Sequence, residues 1–370
     1  MHAMSASIGR ILTLSTRGRA TRSGVALLLS CAGLAGVSGC SLLDGGSRLE
    51  EALEHVPAGA STVTFVDRAA AADRLDLDLE TGAGDAELDR WAEDAVDEAY
   101  GTKLADYTRT MQGAAFSDFD VEWEVEAFAG GAPYRVWKLD EDADFDAIEK
   151  DMLDAGFSRE REGAAQGDDV VLSIGLKEAN GTMAGDRYPV ALMGTTALVP
   201  DERLVVTGNV TAALKTVHDD ADSAADADDF DELLERVDDL DGLEYVFLAG
   251  EGEQTCGPAR LGDDGATGEA TGEATGEATR EALGRPGAFG LFVPTDADSR
   301  VIRVLADDEA ATADADALRA GLADHASLSE IDTKVDSDGA ATVVRTGFGD
   351  RRYMVRALFT LDLPFACGTT

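Results

Sequence analysis

Residues 119–128 read FDVEWEVEAF, with Val121, Trp123, Val125 and Ala127 alternating with Glu122, Glu124 and Glu126. A period of two is the side-chain period of a β-strand, so the segment predicts a strand with one apolar face on a core and a glutamate face in water. Gly130-Gly131-Ala132-Pro133 then supplies a turn, and Tyr134–Leu139 returns as the antiparallel partner. From Asp144 to Ala155 the period changes to that of a helix, with Phe145, Ile148, Met152 and Leu153 expected inward and Gly156 as the stop. Strands near Ser158–Glu162 and Val170–Leu176 complete a β-β-α-β-β run.

The last third of the chain carries a second run of that kind. Ala288–Val293, a turn through Asp296 and Asp298, Arg300–Leu305, a helix over Ala310–Ala323, Ile331–Val335, the Asp338-Gly339 turn and Ala341–Thr346 follow one another. The second strands are alike, RVWKLDED against RVIRVLADDE, and each leads into an acidic helix entry, which points to an internal duplication. Between the runs lie a hairpin (Pro189–Val199, Pro200-Asp201-Glu202, Arg203–Thr207), helices near Val210–His218 and Phe230–Leu240, and the strand Glu244–Leu248. Ahead of them, Ser47 and Glu50 form a capping box for a helix that Pro57 stops, STVTFV at 61–66 reads as a strand, and residues 85–111 read as a helical layer. The fold class is therefore α+β: antiparallel sheet with packed helices, two duplicated β-β-α-β-β units and an N-terminal helical layer. The sequence divides into a part over 47–240 and a part over 241–370, the latter interrupted by a low-complexity loop at 262–286. In that loop ATGE-ATGE-ATGE-ATRE is a tetrapeptide repeat of the kind slippage makes and only an exposed loop tolerates.

The first 39 residues hold Arg10, Arg17, Arg19 and Arg22, no acidic residue, and then the apolar run GVALLLSCAGLAGVSG. This is the layout of a signal peptide, and the run is too short for a permanent transmembrane helix. Val37-Ser38-Gly39-Cys40 closes it and resembles the lipobox of bacterial lipoproteins. That resemblance implies a diacylglyceryl thioether on Cys40, cleavage between Gly39 and Cys40, and a short tether over 40–46 on the outer face of the cell membrane. Two acyl chains, at roughly 0.8 kcal/mol per buried methylene, anchor stably where one would be marginal. Of the other cysteines Cys31 leaves with the signal. Cys256 and Cys367 remain in an oxidising compartment with no metal-binding neighbours, so a disulfide between them is expected; two separate buried thiols or an intermolecular bridge are the alternatives.

Four of the 31 basic residues and none of the 73 acidic ones leave with the signal, so the mature chain has 27 basic residues and a formal charge of −46. Such a surface repels nucleic acid and anionic headgroups and favours cations or basic polypeptides, and the partner expected is a basic protein or a cell-wall component. A salt-tolerant, solvated surface is the plainer explanation of the same composition. At 44% hydrophobic residues the chain can still bury a core.

The mature chain lacks GxSxG, Walker and SxxK motifs, and its histidines, His55, His218 and His325, each fall near a predicted helix C-terminus, where the helix dipole favours an imidazolium. Asp140, Asp142, Asp144 and Asp146 alternate like a calcium loop, but Phe145 stands where that loop needs glycine. Asp336-Ser337-Asp338-Gly339 has the glycine but Lys334 and Arg345 at ligand positions. Asp142 and Asp144 are read instead as helix caps and Asp338-Gly339 as a hairpin turn; Trp91, Trp123 and Trp137 are read as core. No metal and no cofactor is expected. The function expected is a membrane-anchored, non-enzymatic binding or accessory protein of the envelope, the rival being an extracytoplasmic hydrolase working through scattered acidic residues.

VPAGASTVTFVDRAAAADRL at 56–75, SDFDVEWEVEA at 117–127 and LDLPFACG at 361–368 resemble secreted lipoproteins of high-GC Gram-positive bacteria. The resemblance implies one continuous α+β unit and no particular activity.

Overall fold

The structure, a computed structural model, describes residues 47–77, 83–93, 101–161, 164–175, 182–218, 220–237, 240, 242–250, 283–324, 332–347, 354–355 and 358. The signal peptide, Gly39, Cys40, the tether, Cys256, Cys367, His325, the repeat loop up to residue 282 and LDLPFACG lie outside these residues.

FDVEWEVEAF forms strand β2, Val121–Ala129, and the turn glycines Gly130 and Gly131, with φ of 61° and 83°, lead into β3, Ala132–Leu139. Two successive positive φ values are what a tight hairpin with right-handed strand twist requires, and glycine adopts them without a Cβ penalty. β2 also pairs with β1, Thr62–Asp67, which pairs on its other side with β10, Leu243–Ala249.

From this centre an antiparallel sheet spreads both ways. On one side β3 is followed by β9 (Leu204–Gly208), β8 (Thr195–Val199), β5 (Val170–Ser173) and β4 (Ser158–Glu160). On the other, β10 is followed by β11 (Ala288–Pro294), β12 (Ser299–Val304), β14 (Ala341–Gly347) and β13 (Asp332–Asp338), twelve strands among the described residues. The two-residue strands β6 (Met183–Ala184) and β7 (Tyr188–Pro189) pair separately. The parts read as 47–240 and 241–370 thus contribute neighbouring strands, β1 and β10, to one sheet. The fold is α+β.

The strand order repeats about the β1–β10 pair: β1-β2-β3-β9-β8 on one side, β10-β11-β12-β14-β13 on the other. In each half a hairpin is followed by a helix and a second hairpin, whose last strand docks against the first hairpin's second strand. The N-terminal counterpart of β13–β14 is accordingly β8–β9. The pair β4–β5, which the local sequence pattern matches to β13–β14, lies outside it at the sheet edge. Local pattern reports that a segment is extended; its place in a sheet is set by the strand it meets.

Helices cover both faces. On the first face sit α1 (Arg48–Glu54), α6 (Val210–Val217) and α7 (Asp228–Leu234), packed on Phe65, Trp123, Val125, Val136, Val206 and Val246. On the second face α2 (Arg68–Arg74), α3 (Asp85–Trp91) and α8 (Asp308–Asp324) pack over Val66, Tyr245, Leu291 and Val301. There too α4 (Phe145–Asp154) and α5 (Val190–Met193) pack over Trp137, Leu172 and Val205. The capping box on α1 is formed as the sequence predicts, Ser47 Oγ accepting from Glu50 N and Glu50 accepting from Ser47 N.

Three local expectations change. Residues 103–111 are not a helix but turns around a short 3-10 segment, Ala105–Tyr107, where Thr108 and Thr110 hydroxyls donate to the Ala105 and Tyr107 carbonyls and compete with a regular ladder. The extended run expected over Pro189–Val199 begins with the helical turn α5. Leu153 is 37% exposed, at the outer margin of α4.

Candidate functional site

The second face of the sheet is covered unevenly. A cross-strand row formed by Tyr245, Val66, Glu124, Trp137 and Val205 is buried throughout. The next row, Phe247, Thr64, Glu126 and Arg135, is half-buried, and in the row after it Thr62, Phe128 and Pro133 reach solvent beside the buried Ala249. Phe128 is 42% exposed, in a sheet whose other aromatic side chains are mostly covered. Glu126 and Arg135 form an ion pair across β2 and β3. Phe247 is steadied edge-on by Phe289, ring centroids 6.2 Å apart. The result is a strip of two aromatic rings, two threonine hydroxyls and one ion pair, on a rigid four-strand platform.

Three buried carboxylates, Asp118, Glu124 and Glu244, lie on the covered part of the structure, and Glu124 stands in the row next to the strip. Asp118 accepts from Trp91 Nε1 at 2.7 Å and from the Thr102 hydroxyl, with the Arg68 guanidinium 3.9 Å away. Arg68 lies over the rings of Trp91 and Phe119, 4.9 and 5.4 Å from their centroids, a cation–π arrangement in an apolar setting. Burial pushes the Asp118 carboxyl up and the Arg68 guanidinium down, each against the pull of the other's charge. Glu124 accepts from Lys103 N at 2.9 Å and Trp137 Nε1 at 2.5 Å, and burial pushes its pKa up to about 7. Arg74 donates to the fully covered Glu244 carboxylate at 2.6 Å. Each of these carboxylates accepts from at least one of the protein's own donors, which ties them into the packing of this face.

The alternation in FDVEWEVEAF predicts that Glu122, Glu124 and Glu126 face water. Glu122 and Glu126 are half-buried, but Glu124 is 3% exposed. The irregularity between Val121 and Trp123 turns Val121 onto the same face as Glu124, and the segment at 102–104 covers both. Nothing in the alternation marks it, because the covering segment is not helical and lies 21 positions earlier.

The other residues singled out from the sequence serve structure. Trp91, Trp123 and Trp137 are core, and His55 stacks on Trp123 with centroids 6.0 Å apart. His55 and His218 are C-cap residues of α1 and α6, and His218 Nε2 lies 2.6 Å from Asp169 Oδ2. Asp144 caps α4 through Ala147 N at 3.0 Å, whereas Asp142 does not: its own N–H donates to Asp140 Oδ1. Asp338-Gly339 turns β13 into β14. Among the described residues no group of three or more His, Cys, Asp or Glu could hold a metal ion. No described helix is long and apolar enough to cross a membrane.

No family model and no curated protein matches the chain. Three solved structures of a protein titled TP0453 are similar to it. Crystal form I has a TM-score of 0.43 at 9% identity, over 84% of this chain and 98% of that one. Form III gives 0.42 at 8%, over 83% and 97%, and form IV 0.41 at 7%, over 84% and 96%.

Proposed function

We propose that the chain is a lipid-anchored binding protein of the extracytoplasmic membrane face, tethered through Cys40, which receives an extended segment of a basic partner protein on the strip around Phe128. The observation that carries the reading is the half-exposed pair of rows on a sheet face otherwise covered by helices. An exposed aromatic side chain beside a half-buried one on a hydrogen-bonded sheet suits recognition, and a mature charge of −46 draws cationic chains toward it. The VSGC sequence at 37–40 supports the anchor.

Two experiments test the parts separately. Cells labelled with a clickable palmitate analogue are expected to show label for the wild type and none for Cys40→Ala, which is released from the membrane or left unprocessed; equal labelling overturns the anchor. In crosslinked envelopes the wild type is expected to retain a basic protein that Phe128→Asp loses about tenfold, the scale of one buried aromatic contact. Equal retention of one partner by both proteins overturns the strip as binding face.

A further inference from the structure

β13 is the last strand of the sheet on the C-terminal side and pairs with β14 alone. The turn through Gly339 sets Asp338 opposite Ala341. In a two-residue hairpin of this kind the closing pair exchanges both main-chain hydrogen bonds, and alternate residues follow suit. Asp332, Lys334, Asp336 and Asp338 therefore bond to β14, whereas Thr333, Val335 and Ser337 turn their N–H and C=O groups to the open side. Arg319 on α8 agrees with that direction, since its Nε donates to Val335 O at 2.9 Å from outside the ladder. Among the described residues no main chain meets β13 on this side. The opposite edge, β4, has three residues against the seven of β13 and offers a much shorter ladder.

We propose that β13 is an acceptor edge for an extended basic segment of a partner protein, which adds to the sheet as a further antiparallel strand. An open edge gives main-chain hydrogen bonds to any extended chain, so selection has to come from the side chains beside it. Asp332, Lys334, Asp336 and Asp338 are all exposed and share one face, three acids to one base. Lys334 lies 3.9 Å from Asp332 and Arg345 lies 3.1 Å from Asp336, while Asp338 has no ion pair among the described residues. Cations opposite the three aspartates and an acid opposite Lys334 would form favourable cross-strand pairs. The same side chains turn away a second copy: antiparallel pairing of two β13 strands about Val335 sets Asp332 against Asp338 at both ends, and each chain brings a formal charge of −42. An incoming N–H takes the place of Arg319 at Val335 O, and Arg319 keeps its ion pair with Asp316. This edge lies four strands beyond β10, and the inference does not depend on the strip around Phe128.

The probe is a capped peptide, Lys-Thr-Lys-Val-Glu-Thr-Lys, whose lysines fall opposite Asp338, Asp336 and Asp332 and whose glutamate falls opposite Lys334 when it lies antiparallel. Amide hydrogen exchange of the full chain, read by NMR, should slow at Thr333, Val335 and Ser337 as peptide is added. Lys334 and Asp336, already bonded to β14, should change much less. The charge-reversed peptide Asp-Thr-Asp-Val-Lys-Thr-Asp should have no effect. Asp332→Asn combined with Asp338→Asn, two exposed changes that leave the ladder intact, should weaken the basic peptide about fivefold, the scale of two cross-strand charge pairs. Phe128→Asp should leave its binding unchanged, which separates this edge from the strip. No slowing at up to about 5 mM peptide, a limit that already admits very weak binding, would overturn the acceptor edge. So would equal slowing by the charge-reversed peptide, or a slowing that Phe128→Asp abolishes.

Discussion

A carboxylate taken out of water loses solvation that two N–H donors restore only in part, and at Glu124 this has a consequence for the whole protein's stability. The folded value of about 7 and the ordinary 4.5 bound a window in which the folded state holds a proton that the unfolded chain does not. Stability is therefore greatest below the window, falls as pH rises through it and is constant above, a loss of up to about 3 kcal/mol from this one group. Urea unfolding at pH 5 and pH 8 should show that loss in the wild type, over and above whatever Glu124→Gln retains from other carboxylates. Equal pH dependence in the two proteins would acquit Glu124. At this scale the sequence was legible where a residue acts on its own neighbours: Ser47 and Asp144 cap the helices they precede. It was silent where the decisive neighbour is distant. Glu124 reads as solvated because alternation says nothing about what covers a face, and its cover comes from a segment twenty-odd positions earlier.

Among the elements, α8 is joined to the sheet by the buried pair Arg303 and Asp314. Arg303 on β12 donates from Nε at 2.9 Å and from Nη2 at 3.0 Å to the two oxygens of Asp314, and Nη2 also reaches Gly284 O at 2.6 Å. Asp314 in turn accepts Gly284 N at 3.0 Å, so helix, strand and the entry to β11 share one polar knot. Asp314→Ala strands a guanidinium that is 0% exposed and is expected to cost about 3–5 kcal/mol in denaturant unfolding. Adding Arg303→Met should recover much of it, since an apolar side chain needs no partner; a loss below about 1 kcal/mol for Asp314→Ala would show that the knot is not what holds α8. Strong periodicities such as 121–127, 144–155 and 310–323 located their elements well. Residues 103–111 and 189–193 did not follow their pattern, because threonine side chains and the close β6–β7 pairing set the local backbone instead.

Over the molecule as a whole, the paired units were visible in the sequence as two similar runs, but their correct partners emerged only with the sheet, where β8–β9 rather than β4–β5 matches β13–β14. A formal charge of −42 on the chain pushes against compaction, and counter-ions relieve it. The melting temperature should therefore climb by several degrees between about 0.02 and 1 M potassium chloride; a fall would mean that specific ion pairs such as Glu126–Arg135 outweigh the general repulsion. The sheet edges are guarded: β4 is three residues long, and β13 sets Asp332, Lys334, Asp336 and Asp338 along its length. The centre is different. β1, the first strand after α1, is hydrogen-bonded along both sides, to β2 and to β10. Tension applied at the N-terminal end and directed along β1 would load both ladders in shear, every bond sharing the force at once. The same tension on an edge strand would peel its bonds one after another. The chain thus enters its sheet at the place best suited to serve as a mechanical mooring.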